Sequence, residues 1–366
     1  MQNLMTAKSQ RHGFTLLELL VAVSVTALLA AMLLNITSQV VTSQTEASGN
    51  LETNQAAQFI LDRVQEDLQC AFYRNDGNVW LAATILNDAE NSGVWVKGKR
   101  SKPSSISIRV TTDDWEDGPD DPIAQANNQW PLIDSRFGVG GTWLRFFSQA
   151  PELDPNAKNT GGVRAIGYQI IRYGLTGSET SKPRYQLFRS DVATRETFEA
   201  GYDLHPVNGG YLSNAKGGIR APQNIINPIF DDTRGPSTDF SLAANVIDFG
   251  IRAYLIDKNN EGTGFLRQIY PDVNASSSGS ASNHEFLATS NATYRTNANE
   301  ELYAFPEVVD VMVRILTTEG ASAISAYEEG LISAPDGFSQ DAYWWDIAER
   351  NSEVYVRRIR VLPSGI

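Results

Sequence analysis

The pattern of apolar and polar positions divides the chain into a membrane rod and a strand-rich body. From Phe14-Thr15-Leu16-Leu17-Glu18-Leu19-Leu20-Val21 the sequence runs on, almost wholly apolar, to Leu34. About twenty apolar residues in a helix cross the roughly 30 Å hydrocarbon layer of a bilayer, so this stretch predicts a membrane helix. From Thr37 to Asn54 the chain turns polar, but it holds no proline, and Gly49 is its one breaker. The helix can therefore continue. Beyond it Ala56, Phe59, Ile60, Val64, Leu68 and Phe72 recur at spacings of three and four, with Asp62, Arg63, Glu66 and Asp67 between them. That pattern predicts one buried stripe on a solvated helix. A helix from Phe14 to Phe72 is roughly 85 Å long at its usual rise, and its second half is expected to be the spine of a soluble domain.

The remaining chain changes period. Ser105 to Val110, Thr142 to Ser148, Val163 to Tyr173, Tyr185 to Ser190, Val246 to Ile256, Val308 to Leu316 and Glu353 to Leu362 are rich in β-branched and aromatic residues, which predicts strands rather than further helices. Gly174 to Pro183 supplies turn residues between two of them and predicts a hairpin. The expected fold class is α+β, a long N-terminal helix packed on an antiparallel sheet. Extra length falls in loops: Asp113 to Pro122 is acidic, Gly201 to Pro236 is rich in Gly, Asn and Pro, and Pro271 to Asn299 is a Ser/Asn/Thr/Ala-rich excursion with little to bury.

Charge adds two points. Glu18 sits inside the apolar run, where an ionised carboxylate without a partner costs several kcal/mol. Lys8 and Arg11 precede the run and no further Lys or Arg follows until Arg63, which predicts a cytoplasmic N-terminus and an extracytoplasmic body. The formal net charge of −13 disfavours nucleic acid as a partner. Cys70 is the one cysteine, so no intrachain disulfide can form; the expectation for it is a small buried hydrophobe at the end of the helix.

Gly13 before an apolar run, Glu18 within it, and a leader with Lys8, Arg11 and His12 but no acid together resemble the cleavage and methylation motif of type IV prepilins and type II secretion pseudopilins. The resemblance implies cleavage by a prepilin peptidase between Gly13 and Phe14 and N-methylation of Phe14. It also implies that Glu18, fifth in the mature chain, pairs with the N-terminal amine of a neighbouring subunit during assembly. The expected organisation is a leader over 1–13, a membrane part of the helix over 14–36, an extracytoplasmic part over 37–72 and a β-rich domain over 73–366. Ile166 to Arg189, Val246 to Gly264 and Phe305 to Val311 resemble the soluble domain of J-type minor pseudopilins. The tail from Tyr343 to Pro363 is similar to pilin-like proteins of the Verru_Chthon cassette. An ordinary signal peptide or single-pass anchor is the alternative reading, with Ala27 to Ala30 imitating a small-residue cut site.

Asp113, Asp114, Glu116, Asp117, Asp120 and Asp121 place six carboxylates in one loop. It reads first as solvated and second as a calcium site, with Asp113, Asp114 and Asp117 as ligands. Asp257 to Gly262 partly fits a calcium loop, but Gln268 stands where a bidentate carboxylate belongs, and a hairpin turn is the better reading. His12, His205 and His284 are isolated, Gly138 to Gly141 reads as a turn, and no catalytic motif is present. The expectation is therefore no enzyme and no obligatory cofactor. Trp344 and Trp345 are expected to place one ring in the core and one at the surface. The function these features imply is a minor pilin or pseudopilin in the inner membrane, with other pilin-like subunits and the prepilin peptidase as partners. The alternative is a fibre-tip module for a secreted substrate or glycan, resting on the long loops and the two tryptophans.

Overall fold

The computed structural model describes residues 15–85, 142–149, 162–174, 183–205, 230–231, 235–236, 240–258, 262, 264–270, 285–290, 302–338, 340–361 and 364–365. Helix α1 (Leu16–Gln69) is continuous over 54 residues. The polar stretch after Ile36 does not interrupt it, since a lone glycine weakens a helix without ending it. Contacts divide the chain into two units, one ending at Leu51 and one beginning at Glu52. In the first, the large apolar side chains from Leu16 to Ile36 are exposed. The few hydroxyls among them bond within the helix: Ser24 Oγ donates to the Leu20 carbonyl at 2.5 Å and Thr26 Oγ1 to the Ala22 carbonyl at 2.9 Å. Every polar group on that stretch must be satisfied in this way if it is to sit in hydrocarbon.

The second unit holds strands β1 (Phe72–Tyr73), β2 (Leu81–Ile85), β3 (Thr142–Ser148), β4 (Arg164–Gly174) and β5 (Pro183–Val192), then helix α2 (Thr194–Ala200). Strands β6 (Phe230–Asp231), β7 (Gly235–Pro236), β8 (Ser241–Ala244), β9 (Val246–Lys258), β10 (Gly264–Tyr270), β11 (Glu285–Thr289), β12 (Leu302–Ala304) and β13 (Val308–Leu316) follow. Helices α3 (Thr318–Glu328) and α4 (Gln340–Arg350), then β14 (Ser352–Arg360) and β15 (Ser364–Gly365), complete it. A seven-stranded sheet has the order β12-β11-β2-β3-β4-β5-β8, and a four-stranded sheet the order β10-β9-β13-β14. Every pair in the two is antiparallel except β11 with β12. The chain crosses between the sheets at Asn245, whose φ of 63° lies in the left-handed region that asparagine tolerates.

The α+β class and the strand-bearing segments stand where the period-two patterns put them, and Gly174 pairs with Pro183 at the end of the β4–β5 hairpin. Four expectations need correction. Helices α2, α3 and α4 occupy ground read as free of helix; α4 carries Trp344, Trp345, Ile347 and Ala348 inward, all buried. The excursion over Pro271 to Asn299 contains strand β11, whose Phe286, Leu287 and Ala288 are buried against β2; three apolar residues in a row suffice once a sheet edge receives them. Phe59 lies outside the buried stripe at 57 % exposure, and Ala57 and Leu61 are buried instead. Cys70 is half-buried rather than buried, one residue beyond α1. Ser105 to Val110 lies outside the described residues.

Asp67 fixes the end of α1 to the seven-stranded sheet. It is fully buried, and its carboxylate accepts hydrogen bonds from Arg189 Nε at 2.7 Å, Arg189 Nη2 at 3.0 Å and the Tyr168 hydroxyl. Arg63 Nη2 stands 3.3 Å away at ion-pair distance. Arg189 also reaches Asp191, which Arg164 holds from β4 at 2.7 Å. Buried charges survive only when paired and bonded in this manner. Nearer its middle, α1 meets the four-stranded sheet, with Thr53 Oγ1 3.0 Å from the Tyr355 hydroxyl and Asp62 paired with Arg357. The core lies around the helix and both sheets, where the Tyr168 and Phe249 rings stack at 6.0 Å between centroids.

Candidate processing and assembly site

The residues expected to carry function lie at the start of α1. Gly13 and Phe14 fall outside the described residues, and Glu18 stands in the first helical turn. Thr15 and Glu18 bond reciprocally: the Thr15 backbone N–H donates to Glu18 Oε2 at 2.9 Å, the Thr15 hydroxyl donates to the same oxygen at 3.0 Å, and the Glu18 N–H donates to Thr15 Oγ1 at 3.3 Å. This is a capping box, Thr-x-x-Glu, which satisfies amide protons that the helix itself leaves without partners. The carboxylate also meets the positive end of the helix dipole. The spacing is legible in the sequence, as a threonine three positions before a glutamate. Glu18 thus has a local role as a cap in the single chain, and the carboxylate remains exposed.

The metal candidates Asp113, Asp114 and Asp117 lie outside the described residues. Asp257 is the penultimate residue of β9 and pairs with Arg267 across the β9–β10 hairpin, while Gln268 stands within β10 opposite Tyr254. The hairpin reading therefore holds for that segment. Of the histidines, His205 is described: it is buried, and its backbone N–H donates to Asp203 Oδ1 at 3.0 Å.

Trp344 and Trp345 are both buried, at 0 % and 3 % exposure. Trp344 Nε1 donates to Glu328 at 2.9 Å and its ring meets Tyr185 edge-on, while the Arg314 guanidinium lies 5.9 Å from the Trp345 ring. Two rings used this way hold α4 to α3, β5 and β13, and neither forms a surface platform. The expectation of one exposed ring is overturned because α4 turns adjacent positions by only about 100°, and both sheets press on that helix.

Among the described residues one helix, α1, is long and apolar enough to cross a membrane, by length and composition. Residues 8–34 match the family described as the prokaryotic N-terminal methylation motif. No curated protein and no solved structure matches the chain. The matched stretch contains Gly13, Phe14 and Glu18, so the chain carries a prepilin-type motif. Such a motif goes with prepilin peptidase processing, membrane anchoring and pilin-like assembly partners in general.

Proposed function

We propose that this chain is a minor pilin or pseudopilin, a structural and not a catalytic subunit of a type IV pilus-like or type II secretion fibre. The observation that carries the reading is the methylation motif over residues 8–34 at the head of a 54-residue helix. In this reading the peptidase cuts between Gly13 and Phe14, Phe14 becomes the methylated N-terminus, and the chain waits in the inner membrane with its N-terminus cytoplasmic and its body periplasmic. The placement of Lys8 and Arg11 ahead of the run supports that orientation. The exposed face from Leu16 to Ile36 packs against sister helices, which supplies most of the association energy. Glu18 then exchanges or shares its capping bonds with the amine of a neighbour, and that pairing sets register. The J-type assignment rests on the stretches that form β4, β5, β9 and the start of β13.

Two substitutions test it. Gly13→Leu leaves the leader attached, which intact-mass measurement reads directly. Glu18→Gln keeps the capping geometry, since glutamine also serves at that position of a capping box, but removes the charge; the expected result is normal processing with no incorporation into fibres. Ordinary fibre assembly by Glu18→Gln would falsify the charge-docking role.

A further inference from the structure

The four-stranded sheet presents two unlike sides. Tyr355 and Arg357 of β14 point to α1, through Thr53 and Asp62, so the alternate residues Val356, Arg358 and Arg360 occupy the opposite side. In register, Arg358 stands beside Asp310 of β13, and Asp310 beside Arg252 of β9. Arg358 grips Asp310 with two bonds of 2.7 Å, from Nε to Oδ1 and from Nη2 to Oδ2. The Arg358 guanidinium lies 5.4 Å from the Tyr254 ring.

Arg252 is left short. It is 8 % exposed, and its Nε and Nη2 have no acceptor among the described residues. Tyr254 and Asp310 favour its charge, yet burial outweighs them and draws Arg252 below the usual arginine range. The row Arg252, Asp310, Arg358 therefore carries two cations and one anion, on a chain whose formal net charge is −13. A buried guanidinium with two nitrogens that find no acceptor is an expensive arrangement that a bound anion relieves. Exposed apolar residues flank it on the same side: Val356 at 40 %, and the cross-strand pair Ile256 and Leu266, each at 38 %.

We propose that this side of the sheet, from Ile256 and Leu266 across Arg252 to Arg358 and Arg360, docks an acidic extended segment of a partner protein, one carboxylate of which completes the Arg252–Asp310–Arg358 row. Charge complementarity selects the occupant: the row lacks one negative charge, and the apolar residues on either side suit side chains that alternate with carboxylates. The site is separate from fibre assembly through α1 and does not depend on cleavage at Gly13.

The test uses the full chain in detergent micelles and a labelled, end-blocked peptide that alternates glutamate with leucine, read by fluorescence anisotropy. The glutamate peptide is expected to bind, more weakly as salt rises, and its glutamine counterpart to bind at least about tenfold more weakly. Arg360→Glu, at an exposed position, weakens the glutamate peptide by about tenfold without altering the fold. Arg252→Met abolishes binding and raises the melting midpoint of the free chain, since a buried charge whose desolvation outweighs its partners is removed. Equal binding of the two peptides, no binding at millimolar peptide, or a lowered midpoint in Arg252→Met overturns the proposal. Processing at Gly13 proceeds normally in both variants, so failure here is distinguishable from failure of the fibre reading.

Discussion

Asp67→Ala tests whether the joint between α1 and the seven-stranded sheet is made by charge. Asp67 is 0 % exposed and Arg189 is 9 % exposed, so solvent screening is slight, and three protein donors converge on one carboxylate. Removing one member of a buried ion pair costs about 3–5 kcal/mol, because the other charge stays behind without its partner. Arg189 retains Asp191 at 2.8 Å, which argues for the lower end, about 3 kcal/mol. Asp67→Asn keeps an acceptor for Tyr168 and is expected to cost about 2 kcal/mol. Denaturant unfolding of the full chain in detergent, followed by the fluorescence of the fully buried Trp80 and Trp344, measures both. At about 2–4 °C per kcal/mol, Asp67→Ala lowers the thermal midpoint by roughly 6–12 °C. The double change Asp67→Leu with Arg189→Met removes both charges and is expected to recover much of the loss. A midpoint for Asp67→Ala within about 2 °C of the parent would show that apolar packing of Ile60, Val64 and Leu68 alone seats the helix.

Two further outcomes follow from the same junction. Burial, and then the nearby Asp67 charge, raise the Tyr168 phenol well above its ordinary value of 10.0. The unfolded chain therefore releases this proton at a lower pH than the folded one, and the Tyr168 contribution is whole below about pH 10 and declines as pH rises above it; Tyr168→Phe should flatten the alkaline limb of a stability–pH profile, and an unchanged limb would count against it. Burial, then Glu66 and Asp67, push the Cys70 thiol up from 9.0, so less of it is thiolate at pH 8 and iodoacetamide should alkylate it more slowly than a free peptide thiol. Faster alkylation in Asp67→Asn, compared at equal unfolding, checks the electrostatic part.

Much of the architecture was legible because period carries burial. The unbroken apolar run fixed α1, and alternating β-branched residues located β3, β4, β5, β9, β13 and β14 within a few residues. Helix α4 escaped because Tyr343, Trp344 and Trp345 favour strands by propensity, although Trp344, Ile347 and Ala348 already had helical spacing. Strand β11 escaped because its Phe-Leu-Ala core is too short to stand out from the polar residues around it. At the N-terminus, residues 8–34 were readable as a methylation motif. The Thr15–Glu18 cap was readable too, from a threonine three positions before a glutamate.

By itself the sequence determined what is local: a membrane-length helix, the residues ahead of it that mark processing, and the positions of several of the longer strands. Local periodicity suffices there because neighbours along the chain set those preferences. Only the tertiary structure decided which charges meet. Asp67 and Arg189 are 122 positions apart, and Arg252, Asp310 and Arg358 come from three strands whose register no single segment encodes. Sheet pairing and the seating of α1 placed them together, and the low polarity of the interior then made each match or mismatch of charge count.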